Sequence, residues 1–213
     1  MAVILERLSG AFLLNCELFF WTLVFSLPLG LVVAFGSMSR CAPLRGAVKT
    51  FVWIIRGTPL LLQLYFFFFL LPMMIPALET SASFSITLAL CLNSGAYVAE
   101  VIRAGISAVD KGQTEAARSL GLNARQTMTK VVFPQAIKNI LPALCNEFVS
   151  IIKETSLAST FFVGDLMTTY RTINGVTYLS IEPLIIVGII YFVLTFTLSK
   201  AIAVLERRLK TSD

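Results

Sequence analysis

Polar and ionisable side chains interrupt two long apolar stretches of this chain at helical spacing. In the first stretch, Asn93, Tyr97 and Glu100 follow i, i+4, i+7 spacing and therefore share one face of a helix. Ionisable groups inside apolar helices are costly unless they face a cavity or a pathway, so such residues are candidates for contact with a solute. The second stretch carries two adjacent stripes of the same kind, made of Asn146, Glu147, Ser150, Lys153 and Glu154.

The composition indicates which elements carry these residues. Of the 213 residues, 57% are hydrophobic and 14% charged, against about 45–50% and about 25% in soluble domains. A bilayer-crossing helix needs roughly 20 apolar residues. We therefore predict an all-α integral membrane protein, a single transmembrane domain of residues 1–213 with about five transmembrane helices. The apolar runs lie near residues 11–38, 58–71 with a separate piece at 51–55 before it, 84–106, 134–152 and 183–205.

Residue types that are missing narrow the chemistry. The chain has no histidine, which excludes His-based triads and most zinc enzymes. Its four cysteines lie far apart without C-x-x-C spacing, so neither a disulfide framework nor a metal site is indicated. No nucleophile and base can be assembled into a site, which makes a membrane enzyme a weak alternative.

Basic residues are distributed unevenly between the connections. They concentrate after the first, third and fifth apolar runs, whereas residues 72–83 contain none. Because Lys and Arg of short loops stay in the cytoplasm, we predict the N-terminus outside and the C-terminus inside. This topology accounts for the net charge of +5, which we do not interpret as nucleic-acid binding.

The most informative cytoplasmic stretch is residues 110–133, named here the coupling segment. It predicts a short helix that ends at Gly121, which supplies a left-handed stop. A second helix is predicted to begin after Asn123, an N-cap with Gln126 three residues on, and to end against Pro134. The small Ala116-Ala117 pair predicts a low exposed surface that docks on another protein, and a solvated connector is the alternative.

Several motifs resemble one family. The run GQTEAA at residues 112–117, followed by Gly121 and by VFPQAI at residues 132–137, resembles the cytoplasmic EAA signature of permease subunits of bacterial ABC importers. RGTPLLLQ at residues 56–63, NSGAYVAEVIR at residues 93–103 and KETSL at residues 153–157 resemble its polar amino-acid branch. The likeness covers nearly the whole chain.

The resemblance implies a permease subunit for polar amino acids, located as a multi-pass protein in the bacterial cytoplasmic (inner) membrane among its lipids. It would pair with a second permease subunit, identical or paralogous, bind two ABC ATPase subunits, and receive its amino acid from an extracytoplasmic binding protein. The chain has no Walker A sequence, so we expect no catalysis and no cofactor in it, with ATP and Mg in the partner ATPase. A stand-alone ion-coupled carrier or channel is the alternative function.

By the same resemblance, a coupling helix docks in a groove of the ATPase. On this basis we expect Ala117→Arg to insert normally and to lose the ATPase. The expected coupling residues are Gly112, Gln113, Glu115, Ala116, Ala117, Leu120 and Gly121.

An amino-acid zwitterion needs a cation for its carboxylate and an acid for its ammonium group. Lys153 and Glu147 supply one of each, and Thr58 and Gln63 add hydrogen bonds beside the break at Pro59. Such breaks in transporters often expose backbone groups to substrate.

Structural roles compete with these assignments. Glu100 and Arg103 are spaced for an ion pair, and Lys153 with Glu154 lies where it can simply meet water. Small residues at helix contacts are more often packing residues than ligand contacts, as we expect for Gly30, Ser94, Gly95 and Gly105. The sequence does not choose among the polar amino acids.

Overall fold

The computed structural model describes the backbone of residues 2–75 and 81–210 and the side chains of residues 7–75 and 81–204. Within these ranges every regular element is helical, as predicted. The α-helices are α1 (Ala2–Ser37), α2 (Ala42–Gly57), α3 (Leu60–Tyr65), α4 (Leu71–Met74), α5 (Ala82–Ser107), α6 (Lys111–Ser119), α7 (Ala124–Thr127), α8 (Phe133–Glu154), α9 (Leu166–Thr177) and α10 (Ile181–Lys210). Phe66–Leu70 and Met128–Val132 form π-helical turns, and Thr155–Phe161 forms a 3₁₀ helix.

Three helices of the described part are long and apolar enough to cross a membrane: Arg7–Ser37, Ala82–Ser107 and Ile181–Val204. A fourth span results if α2 and Leu60–Met74, which are bent by 107° at the break, count as one. The run predicted near residues 134–152 is helical as α8, but α8 is not among these candidate spans. The number of five spans and the orientation of the termini stay predictions.

Helices α1 and α5 pack closely because glycines leave room for facing side chains. A Cβ built on Gly30 would lie 2.3 Å from Cγ1 of Val98, and one on Gly95 would lie 2.7 Å from Cδ2 of Leu29. The glycine of each helix thus receives a side chain of the other. Gly105 receives Ile140 of α8 in the same way, at 2.3 Å. The predicted packing role of these three glycines is confirmed.

The coupling segment closes its first helix as its sequence predicts. Asp110 accepts the N–H of Gly112 at 2.6 Å and caps α6. At the other end, Gly121 has φ +83°, its N–H donates to Arg118 O, and Leu122 N–H donates to Ala117 O. This pair of bonds is a Schellman motif, which needs a left-handed residue and so favours glycine.

The second helix of the coupling segment begins as predicted but does not end as predicted. Asn123 and Gln126 form a capping box, with both bonds at 2.9 Å. The prediction that the helix ends against Pro134 is wrong: α7 runs through the π-helical turn into α8, with Pro134 in the first turn of α8. Proline lacks an N–H, and the local change of hydrogen-bond spacing accommodates it without stopping the helix.

A buried amide ties the elements at the far end of α8. Asn15 of α1 donates from Nδ2 to Thr155 Oγ1 and to the Tyr191 hydroxyl, each at 2.9 Å. Its Oδ1 accepts the N–H of Leu166, the first residue of α9, at 2.9 Å. One side chain on α1 thereby fixes the end of α8, the start of α9 and the middle of α10.

Candidate functional site

The polar face of α5, made of Asn93, Tyr97 and Glu100, meets α2 and α3. Asn93 Nδ2 donates to Gln63 Oε1 at 3.0 Å. The Arg56 guanidinium lies over the Tyr97 ring, 5.1 Å from its centroid, which is within cation–π range. Arg56 also lies 3.7 Å from Glu100 Oε1. The predicted common face is therefore confirmed, and the whole of it is engaged by the neighbouring helices.

Glu100 is balanced mainly by its own helix. Nε of Arg103 donates to Oε2 of Glu100 at 2.8 Å, and NH2 of Arg103 donates to Oε1. This bidentate contact confirms the predicted ion pair, and Arg56 adds a second, longer one. A carboxylate held by two guanidinium groups has little capacity left for a substrate ammonium group.

A cavity of about 480 Å³ opens between α1, α2 and α5 beside these residues. Its lining contains three cations, Lys49, Arg56 and Arg103, and one carboxylate, Glu100. Trp53 adds an aromatic wall from α2 and is 78% exposed. An arrangement with more cations than acids suits a carboxylate or another anionic group.

The break between α2 and α3 is bridged by side chains of its own chain. Gln63 is buried, and its Nε2 lies 2.7 Å from Ile55 O, 2.9 Å from Thr58 Oγ1 and 3.2 Å from Thr58 O. The Thr58 hydroxyl in turn donates to Ile54 O at 2.9 Å. Side chains thus bond the carbonyls of Ile54, Ile55 and Thr58, and the hydrogen bonds of Thr58 and Gln63 are made within the chain.

The stripes of α8 contribute a second polar patch. Glu147 is half-buried and interacts electrostatically with Ser94 of α5, Arg56 of α2 and Glu154. The Ser94 hydroxyl is buried and lies beside Glu147. Ser150 and Glu154 are half-buried. Asn146 and Lys153 are exposed.

Helix α6 exposes most of the expected coupling residues, but not Ala117. Leu120 is 84% exposed, whereas Ala117 is buried at 4% exposure. The expectation that both alanines form the exposed step is therefore wrong for Ala117, which packs inside its own chain. Nε2 of Gln135 donates to Gln113 Oε1 at 3.3 Å, which links α6 to α8. The exposed expected coupling residues are Gly112, Gln113, Glu115, Ala116, Leu120 and Gly121.

Comparison with known proteins shows the family to which this chain belongs. Residues 26–211 match the family described as binding-protein-dependent transport system inner membrane component. The chain belongs to this family. It is therefore a permease subunit of an ATP-driven importer and not itself a catalyst, and the alternative of a stand-alone carrier or channel is not favoured.

Curated relatives of this permease are amino-acid permeases. It is 40% identical to the arginine transport system permease protein ArtQ of Bacillus subtilis over 89% of its own length and 86% of the relative's. It is 37% identical to the L-cystine transport system permease protein TcyB of the same organism, over 95% and 86% of the two chains. A putative glutamine transport system permease protein of Rickettsia bellii is 38% identical, over 89% and 86%.

Solved structures agree with the fold of the permease. A chain from the crystal structure of an amino acid ABC transporter with histidines has a TM-score of 0.92 and 42% identity, covering 98% of this chain and 96% of that one. An inward-facing structure of the MetNI methionine ABC transporter has a TM-score of 0.73 at 16% identity, covering 98% and 97%. The latter shows the fold alone.

Sequence reasoning missed the part played by α2. In the sequence Arg56 stands out only within the RGTP motif, yet it is the residue that contacts both Tyr97 and Glu100. Lys49 and Trp53 were likewise unassigned and line the same cavity. The i, i+4 spacing of Arg45, Lys49 and Trp53 was a usable signal, because it predicts one basic and aromatic stripe along the helix.

Proposed function

We propose that this permease carries a polar amino acid through a pathway lined by α2, α5 and α8. The observation that carries the proposal is the position of Glu147, which is half-buried on α8 with Ser94 of α5 and, further off, Arg56 of α2 within electrostatic range. Glu147 offers a carboxylate for a substrate ammonium group, and Arg56 offers a guanidinium for the substrate carboxylate. Lys153, Asn146, Ser150 and Glu154 continue the patch along α8. The names of the relatives, which specify arginine, cystine and glutamine, support the substrate class.

The proposed assembly follows from the family. In it the chain is one domain with five spans, its N-terminus outside and its C-terminus in the cytoplasm of a bacterial cell, in the inner membrane. It associates with a second permease subunit, two ATPase subunits and an extracytoplasmic amino-acid-binding protein. The chain binds no cofactor, and ATP with Mg is bound by the ATPase. Exposed Leu120 and Ala116 on α6 support the docking of the ATPase there.

Affinity purification from native membranes, with mass spectrometry and an ATPase assay, tests the assembly. We expect an ATPase subunit with vanadate-sensitive turnover and a second permease subunit in equal amount. A chain that purifies alone and without activity, under conditions that preserve other membrane complexes, contradicts the proposal.

The pathway is tested by Glu147→Gln in proteoliposomes that contain the permease, its ATPase and its binding protein. We expect amino-acid uptake to fall about tenfold or more, because a neutral amide cannot pair with an ammonium group. Glu182→Gln is the matched control, since Glu182 is exposed at the start of α10. Uptake and substrate-stimulated ATPase activity at the unmodified level in Glu147→Gln would exclude Glu147 from the pathway.

A further inference from the structure

Helix α2 ends in a sharp bend before α3. Helix α2 and the run Leu60–Met74, which begins with α3, are bent by 107° at residues 58 and 59, and no described side chain caps the start of α3. We name residues 54–63 the elbow. A helix that ends inside a protein leaves carbonyl groups without partners, and each one left buried and unpaired is costly.

Gln63, on the far side of the bend, satisfies one of the carbonyls in the last turn of α2. Its Nε2 lies 2.7 Å from Ile55 O, eight residues earlier, and 2.9 Å from Thr58 Oγ1. The Thr58 hydroxyl donates a hydrogen bond to Ile54 O at 2.9 Å. Two consecutive carbonyls in the last turn of α2 are thus paired through one amide and one hydroxyl.

The same amide is anchored to α5. Oε1 of Gln63 accepts from Nδ2 of Asn93 at 3.0 Å, and both side chains are buried. Gln63 therefore joins the end of α2, the linker and α5 in one network. The side-chain nitrogen of Gln63 bonds the elbow, and the side-chain oxygen bonds α5.

The elbow determines where Arg56 lies. Arg56 is in the last turn of α2, directly after Ile55, whose carbonyl Gln63 holds. From there its guanidinium reaches the Tyr97 ring and Glu100, one and two turns along α5 from Asn93. A change of the α2 angle would carry Arg56 away from both contacts.

We infer that Gln63 is a positioning residue: it locks the elbow against α5 so that α2 presents Arg56 to the polar face of α5, and it does not bind the transported solute. The inference rests on the proposed function insofar as Arg56 lines the pathway. It differs from the expectation that Gln63 contacts substrate, because a ligand residue and a positioning residue respond differently to substitution.

The variant Gln63→Glu keeps the size of the side chain and its acceptor for Asn93 but loses the donor to Ile55 and Thr58. In the reconstituted transporter we expect the uptake kcat to fall about tenfold and any change in KM to be the same for every amino acid within about twofold, because a displaced Arg56 meets the carboxylate that all of them share. Asn139→Asp, which also adds a carboxylate but on an exposed side chain of α8, is expected to leave both constants unchanged. A KM change that differs between amino acids identifies Gln63 as a ligand and overturns the inference.

A double variant separates positioning from general destabilisation. If Gln63 acts through Arg56, then Gln63→Glu combined with Arg56→Gln is no more than about twofold worse than Arg56→Gln alone. If the fold-loss of uptake in the double variant equals the product of the two single fold-losses, the inference is overturned. Thr58→Val should behave like Gln63→Glu, whereas Thr195→Val should leave uptake unchanged, because the Thr195 hydroxyl bonds carbonyls of its own helix.

A readout on the permease alone keeps the elbow testable if no uptake is found. The chain has two tryptophans, so Trp21→Phe leaves Trp53 of α2 as the sole reporter. We expect Gln63→Glu to shift the Trp53 emission maximum and its quenching by acrylamide, and Asn139→Asp to change neither. An unaltered Trp53 signal in Gln63→Glu overturns the inference. Absence of amino-acid uptake in the unmodified transporter instead contradicts the proposed function.

Discussion

The coupling segment and the elbow both end one helix and begin another, but their hydrogen bonds come from different distances. In the coupling segment Asp110, Gly121 and Asn123 bond to groups no more than five residues away. In the elbow, Gln63 reaches back eight residues and is held by Asn93, thirty residues on. The capping residues Asp110, Gly121 and Asn123 are exposed, where water tolerates imperfect caps, whereas Gln63 is buried and its polar atoms need partners within the chain.

The largest expected effect tests whether the exposed segment is built for a partner. We predict that Ala116→Arg abolishes co-purification of the ATPase, because a long charged side chain would stand beside Leu120 on the exposed side of α6. The permease itself should reach the membrane in normal amount. Co-purification measured by mass spectrometry checks this.

Two further alanines act as controls for that prediction. Ala42→Arg places the same charge at the exposed start of α2 and should retain the ATPase. Ala117→Arg should lower the amount of folded permease instead, because Ala117 is buried within the chain. Retention of the ATPase by Ala116→Arg would show that the exposed side of α6 is merely solvated.

A buried amide at the other end of the molecule sharpens the comparison. Asn15→Leu keeps the branched shape of the side chain but removes the acceptor of the Leu166 N–H and the donor to the Thr155 and Tyr191 hydroxyls. We predict a loss of roughly 3 kcal/mol in the free energy of unfolding. Thermal unfolding of the permease in lipid nanodiscs measures it.

The control for Asn15 is Asn139→Leu, since Asn139 is exposed. It should change the free energy of unfolding by less than about 0.5 kcal/mol. Equal effects at the two positions would mean that buried amides contribute no more here than surface ones, and the contrast between the two regions would fail.

The smallest effect concerns the local stop of α6. Gly121→Ala forces a Cβ into φ +83°, which costs about 1 kcal/mol. We predict faster hydrogen exchange at the Leu122 amide, which donates to Ala117 O, with the rest of the permease unchanged. Gly175→Ala is the matched control, because Gly175 lies within α9 and a Cβ there meets nothing within 4 Å. Identical exchange at Leu122 in the variant and the unmodified chain would contradict the role of the Schellman motif.

The contrast also explains how far the sequence could be interpreted. Caps are local, so Asn123 with Gln126 and the stop at Gly121 were predictable from spacing alone. The common face of Asn93, Tyr97 and Glu100 followed from helical periodicity in the same way. The partners of that face were not predictable, because Arg56 and Gln63 reach it only through a bend whose angle depends on tertiary contacts. Burial of Ala117 was missed for a related reason: periodicity identifies a face, but not which neighbour covers it.

The reciprocal insertion of Leu29 beside Gly95 and of Val98 beside Gly30 holds α1 and α5 together as one rigid pair. Sliding one helix along the other would drive each side chain into the backbone of its neighbour. We therefore expect α1 and α5 to move as one unit, and the other elements of this permease to move relative to this pair. A pair of spin labels at exposed Val32 on α1 and Ala104 on α5 would keep one distance throughout a transport cycle and give a fixed ruler for all other movements.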